Sequence, residues 1–105
     1  MMREKRRYLL VETSMDIPEA ARKEFELELF RELLHQIGET SYFRANPKIM
    51  KFIDGNRFVL KCNLVKYKET VLALTFIKRL SGKEVCFYTL NASGTILALE
   101  KIKSA

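Results

Sequence analysis

The chain has 105 residues, 48% of them hydrophobic, and 19 Lys and Arg against 13 Asp and Glu give it a net charge of +6. That is enough length for one domain over residues 1–105 and enough apolar content for one core, which excludes intrinsic disorder. No stretch approaches the ~20 apolar residues of a bilayer span, and the start Met-Met-Arg-Glu-Lys-Arg-Arg has no apolar run behind it, so a soluble, cytoplasmic protein with no membrane partner is expected.

In chain order, residues 7–12 read as a first strand, because Tyr8-Leu9-Leu10-Val11 is a short apolar run. Asp16 and Glu19 read as a capping-box-like start with Pro18 in the first turn. The predicted helix covers 18–37, where Phe25, Leu29, Leu33 and Ile37 repeat every four residues, Phe30 and Leu34 fall on the same side, and Leu27 does not. Gly38 stops it. Residues 39–47 read as a connector ending at the breaker Asn46-Pro47, with Tyr42 and Phe43 tucked against the helix.

Residues 48–53 alternate as a half-exposed strand, with Ile49, Lys51 and Ile53 on one side and Met50 and Phe52 on the other. Asp54-Gly55-Asn56 signals a hairpin through residues that accept positive φ, and 57–62 is the returning strand. A second helix is predicted over 67–80, ended by Ser81-Gly82. A last strand follows over 83–90, then a short helix capped by Ser93. The order β-α-β-β-α-β predicts an α+β fold: a two-layer α/β sandwich of the ferredoxin-like or RNP-like kind, with a four-stranded antiparallel sheet and a short C-terminal helix. Both helices cover one sheet face and leave the other to solvent or a partner.

Charge is unevenly placed. Residues 1–36 hold seven Lys and Arg against eight Asp and Glu, net −1, while residues 37–105 hold twelve against five, net +7. This asymmetry points to a polyanion partner. The candidate contacts form groups: Arg6 and Arg7 at the first strand; Lys61, Lys66 and Lys68 at a strand-to-helix junction; Lys78, Arg79 and Lys83 around the Ser81-Gly82 turn. Ser93-Gly94-Thr95 offers backbone amides at a helix start. The predicted third strand has one aromatic, Phe58, with Leu60 and Cys62 on its face. It therefore lacks the stacking aromatics of an RNA-recognition motif, and contacts to phosphate and sugar are expected instead of base reading.

No protein active site is expected. The one histidine, His35, sits on a helix without a second histidine to share a metal or proton, and Cys62 and Cys86 read as core residues of strands. Glycine occurs only at 38, 55, 82 and 94, which excludes a P-loop, a dinucleotide fingerprint and the glycine-rich anion loop of an acylphosphatase-like hydrolase. An alternative is a ferredoxin-like interaction or ligand-binding module that dimerises through its open sheet face, with Val85, Phe87 or Met50 and Phe52 as the apolar interface.

Beyond these patterns, the chain resembles the ribonuclease P protein component 2 family, the small subunits of archaeal and eukaryotic ribonuclease P. The resemblance spans about residues 6–100. It rests on Arg7-Tyr8-Leu9, Ala45-Asn46-Pro47, Phe58-Val59-Leu60-Lys61-Cys62, and Tyr67 with Ala73-Leu74 and Ile77. Thr89-Leu90 followed by Ser93-Gly94-Thr95-Ile96 is the most telling part. It implies a protein that pairs with the barrel-shaped component 3, as a dimer of heterodimers. The pair would sit on the catalytic domain of ribonuclease P RNA and assist removal of the 5′ leader from precursor tRNA. It also implies that the protein binds no cofactor and that magnesium belongs to the RNA. The chain departs from the family pattern at Asn63, where a basic residue is common, and at Asn91 and Leu97, where Gly and Arg are usual. Lys61, Lys66 and Lys101 are then the neighbouring cations left to touch RNA.

Overall fold

The computed structural model describes residues 5–80 and 82–94. The first strand, β1 (Arg6–Thr13), has residues to bury on both faces, and it takes a central place in a four-stranded antiparallel sheet. Its neighbours are β3 (Arg57–Asn63) and β6 (Phe87–Ser93), and β2 (Lys48–Asp54) lies outside β3, giving the order β2-β3-β1-β6. This is the expected split βαβ arrangement.

Leu9 and Val11 of β1 meet Phe58, Leu60 and Cys62 of β3 under the helices α1 (Arg22–Ile37) and α3 (Tyr67–Phe76). The helices contribute Phe25, Leu29, Leu33, Ala73 and Leu74 to this core. At its centre, Phe25 stands edge-on to Phe58 with ring centroids 5.7 Å apart and lies 6.2 Å from Phe87. Leu10 and Val59 form a second, smaller cluster on the opposite sheet face, screened by Tyr8 and Ile53.

The start of α1 differs from expectation. A 3-10 turn (Glu19–Ala21) precedes it and no side chain caps either element. The Asp16-Ile17 segment is held by the β2–β3 hairpin instead: the Ile17 amide donates to the Gly55 carbonyl at 2.7 Å, and Ile17 is buried. That hairpin turn forms at the predicted place, but neither Gly55 nor Asn56 takes a positive φ. Gly55 matters through close approach, since a Cβ there would meet an Asp16 carboxylate oxygen at 2.8 Å.

Gly38 (φ 84) ends α1 as expected, but 39–45 is not a loop: α2 (Glu39–Ala45) follows at once and ends at Asn46 in the left-handed region. Tyr42 packs on the core, whereas Phe43 is exposed rather than tucked in.

The second helix is shorter than expected. It ends at Phe76, where Ile77 turns extended and buries its branched side chain with Leu80. The residues read as the helix end and the next strand's start form a hairpin, β4 (Arg79–Leu80) with β5 (Lys83–Glu84), and its turn uses Gly82 at φ 75. The predicted strand 83–90 is therefore broken between β5 and β6. Strand β2 also breaks its simple alternation. Register shifts beside Met50 and Ile53 put both Ile49 and Phe52 against the core. The predicted C-terminal helix lies outside the described residues.

An interface built from Val85, Phe87 and Phe52 is excluded, because Val85 and Phe87 are buried and Phe52 packs on the same core. Phe25→Ala should cost about 3–5 kcal/mol in denaturant unfolding, because the Phe58 and Phe87 rings lose a partner that the packed sheet cannot replace. Phe43→Ala at an exposed site should stay within about 0.5 kcal/mol.

Candidate nucleic-acid interface

On the sheet face away from α1 and α3, antiparallel pairing sets directly opposed residues into rows. Arg6 of β1 faces Asn63 of β3. The next row runs Lys48, Lys61, Tyr8, Ser93 across β2, β3, β1 and β6. Then come Lys51, Val59, Leu10, Asn91, and finally Asp54, Arg57, Glu12, Tyr88. Opposed Cβ atoms in such rows are about 4.5–5.5 Å apart, so these side chains act as neighbours.

The two ends of this face differ in charge. At the Asp54–Tyr88 end, the Arg57 guanidinium is bonded to Glu12 at 3.1 Å. The Tyr88 hydroxyl is bonded to Cys86, and chiefly that bond, with desolvation and the nearby Glu12 carboxylate, pushes its pKa up. At the other end, Lys61 stands between Lys48 and Arg6. Partial burial, then the Arg6 charge, then the Lys48 charge lower the Lys61 pKa. Among the described residues, none of these three cations has a carboxylate partner at ion-pair distance. Like charges directly opposed across strands repel, so this end is poised to take up anions.

More of the predicted contacts gather at the same end. Arg7 points to the opposite face, but its guanidinium comes within 3.3 Å of where a Cβ on Gly94 would sit, just beyond Ser93. A 3-10 turn (Leu64–Lys66) leads from β3 into α3, and the Leu64 amide donates to the Lys5 carbonyl at 2.7 Å. Lys66 and the exposed Lys68 therefore lie beside the start of β1, with Lys66 paired to Glu69 at 3.7 Å. Asn63 donates its side-chain amide to the Arg44 carbonyl at 2.8 Å and ties α2 to the sheet. Thr95 and Lys101 lie outside the described residues.

Lys78, Arg79 and Lys83 do not belong to this group. They sit at the other end of the sheet, where the Val85 amide donates to the Lys78 carbonyl and the Cys86 amide to the Ser14 hydroxyl. The length of β1, about 23 Å for seven steps of 3.3 Å, separates the ends by more than two Debye lengths at physiological salt. Arg79 shares a cleft with Glu28, Arg31 and Glu32, and Lys83 one with Asp16, Glu24 and Glu28. Their charge faces the acidic side of α1. Conversely, Lys48 and Tyr8 were missing from the sequence-derived set: Lys48 belonged to an alternating strand and Tyr8 to an apolar run. Only the pairing register places both beside Lys61.

Cys62 is fully buried, and desolvation drives its thiol pKa up to about 11 against a weaker pull from its Thr70 hydrogen bond, so it is inert at neutral pH. Cys86 is only half-buried, between β5 and β6 and outside the core proper. Among the described residues, no group of three or more His, Cys, Asp or Glu could hold a metal, and no helix is long and apolar enough to cross a membrane.

The family model described as Rpp14/Pop5 matches residues 7–103. Among curated proteins, ribonuclease P protein component 2 of Methanosarcina mazei is 26% identical over 95 residues, covering 90% of this chain and 80% of the relative. Its Methanosarcina acetivorans counterpart is 27% identical over 95 residues, covering 90% of this chain and 70% of the relative. A chain in the cryo-EM structure of yeast ribonuclease MRP shares the fold with a TM-score of 0.64 at 10% identity, covering 99% of this chain and 92% of that one.

Lys61→Gln removes the repulsion at the basic end. It should raise Tm by about 1–4 °C at low ionic strength and by less at 1 M salt, followed by circular dichroism. The sign with pH follows. Because folding lowers the Lys61 pKa, the unfolded chain holds its proton more tightly, so wild-type stability rises as pH climbs from the lowered value toward that of a free lysine. The variant should lack that rise.

Proposed function

The chain belongs to the Rpp14/Pop5 family, and on that premise we propose that it is a protein subunit of ribonuclease P that holds RNA phosphates on the basic end of its outer sheet face. The observation that carries this reading is the crowding of Lys48, Lys61 and Arg6 without a neutralising carboxylate among the described residues. Phosphates arriving at three cations on adjacent strands release counterions, and because the paired strands already fix the backbone, little backbone entropy remains to be lost compared with a flexible tail. Ser93 extends this face, while Arg7, on the opposite face, and Lys66 and Lys68, at the start of α3, add positive charge at the same end of the sheet.

The work of such a subunit is electrostatic. Precursor tRNA and a catalytic RNA repel one another, and a cationic wedge between them lets both approach with fewer free magnesium ions. Magnesium and bond cleavage stay with the partner RNA, and the protein needs no cofactor of its own. The protein partner in this reading is the barrel-shaped component 3, in a dimer of heterodimers, and the assembly works in the cytoplasm on precursor tRNA. The apolar helix exteriors, with Leu72 and Phe76 of α3 more than half exposed, suit a protein contact rather than RNA.

Reconstituted cleavage of precursor tRNA tests the proposal. Lys48→Ala with Lys61→Ala should weaken RNA binding roughly tenfold and make the log–log salt slope about 1.4 less steep, at ~0.7 per phosphate contact on single strands. The loss of processing should be greatest at low magnesium. Lys66→Ala should lose less, since Glu69 already offsets its charge. Arg79→Ala should leave both measurements unchanged. An unaltered magnesium dependence in the double variant would sink the site.

A further inference from the structure

The row Lys48, Lys61, Tyr8, Ser93 places one aromatic ring among the cations, and phosphate binding gives that ring no task. We infer that Tyr8 is a stacking platform for one unpaired nucleobase, so that the basic end of the sheet takes a single-stranded RNA segment rather than a duplex. The inference rests on the RNA-binding reading above and deepens it by naming the class of RNA.

Several observations converge on the ring. Tyr8 stands on β1, which is paired on both sides, so its backbone cannot drift. It packs against the buried pair Leu10 and Val59, yet it keeps part of its surface accessible. Lys61 is its direct cross-strand neighbour, with Lys48 one strand further and Arg6 two residues along the same face. A nucleotide whose base lies on the ring therefore has cations within reach of the phosphates flanking it. On the β6 side its row neighbour is Ser93, with Asn91 in the next row, so no charged side chain stands directly opposite the ring on that strand.

The other outward aromatic lacks these features. Tyr88 stands opposite Glu12 with its hydroxyl bonded to Cys86, next to the neutralised Arg57, where a phosphate meets a carboxylate. The distinction between strand types follows from nucleic-acid structure. Bases inside an A-form duplex are stacked on each other and cannot lie on a protein ring, whereas unpaired bases can, whatever their sequence.

The full chain is tested by fluorescence anisotropy on a short labelled uridine oligomer and on an RNA duplex of equal charge. Tyr8→Leu keeps an apolar brace over Leu10 and Val59 but removes the ring. It should weaken oligouridine binding roughly 5- to 100-fold and leave duplex binding unchanged, while Tyr8→Phe keeps wild-type affinity for both. Independently of variant folding, a 5-bromouridine oligomer irradiated on the wild-type chain should cross-link to the peptide containing Tyr8. Equal losses on both RNAs in Tyr8→Leu, no loss at all, or cross-linking confined to other peptides overturns the stacking platform and leaves the phosphate site standing. A wild-type chain that binds neither RNA in dilute salt overturns both.

Discussion

The register of β1 between β3 and β6 is the constraint on which the rest of this molecule depends. It sends Leu9 and Val11 under the helices and Tyr8 and Leu10 outward. Because side chains alternate with a period of two, a slip of one residue would exchange these sets, exposing core leucine and driving Tyr8 and Arg6 toward the helices. Among the described residues, fifteen buried ones share the helix-side cluster, against two in the outer one. Burial therefore fixes the strand mainly from the helix side, and the basic outer face takes most of its order from a core it does not belong to.

Charge is sorted along the strands rather than across the sheet. The same four strands carry an ion-paired end, with Glu12 on Arg57, and an end where cations repel. Clustering like charge in this way costs some stability, the repulsion that an incoming anion would relieve. The acidic side of α1 attracts the remaining cations of the β4–β5 hairpin, which keeps a net-positive protein from being uniformly sticky toward polyanions.

Much of this was legible from periodicity. The four-residue repeat of Phe25, Leu29 and Leu33 located the long helix, and Gly38 its end. The apolar run at Tyr8 located the central strand, and the family resemblance pointed to RNA. What could not be read was register. From the Gly55-Asn56 turn, an unbroken ladder would set Lys48 opposite Asn63, but two irregularities in β2 move it to Lys61. Bulges carry no signature in composition, since their stability depends on which core side chains they let back in, here Ile49 and Phe52. The early end of α3 was hidden for a similar reason. The segment 67–80 is apolar on most faces, so its pattern fits a helix to Leu80, and only burial of Ile77 and Leu80 against the core favours the exit at Phe76. How far apart the basic groups lie was equally beyond the sequence, because strand length and register set the distance between Lys61 and Arg79.

Both edges of the sheet are irregular: β2 has two register shifts and β6 has one beside Leu90. A foreign strand adds to a sheet by matching its spacing of amides and carbonyls over several residues, and among the described residues neither edge offers a long regular run. On β2, Lys48 and Lys51 also oppose the approach of another copy's equally basic edge. The irregularities that align cations on the outer face thus protect the chain from fibrillar self-association during the interval before it is assembled with its nucleic acid.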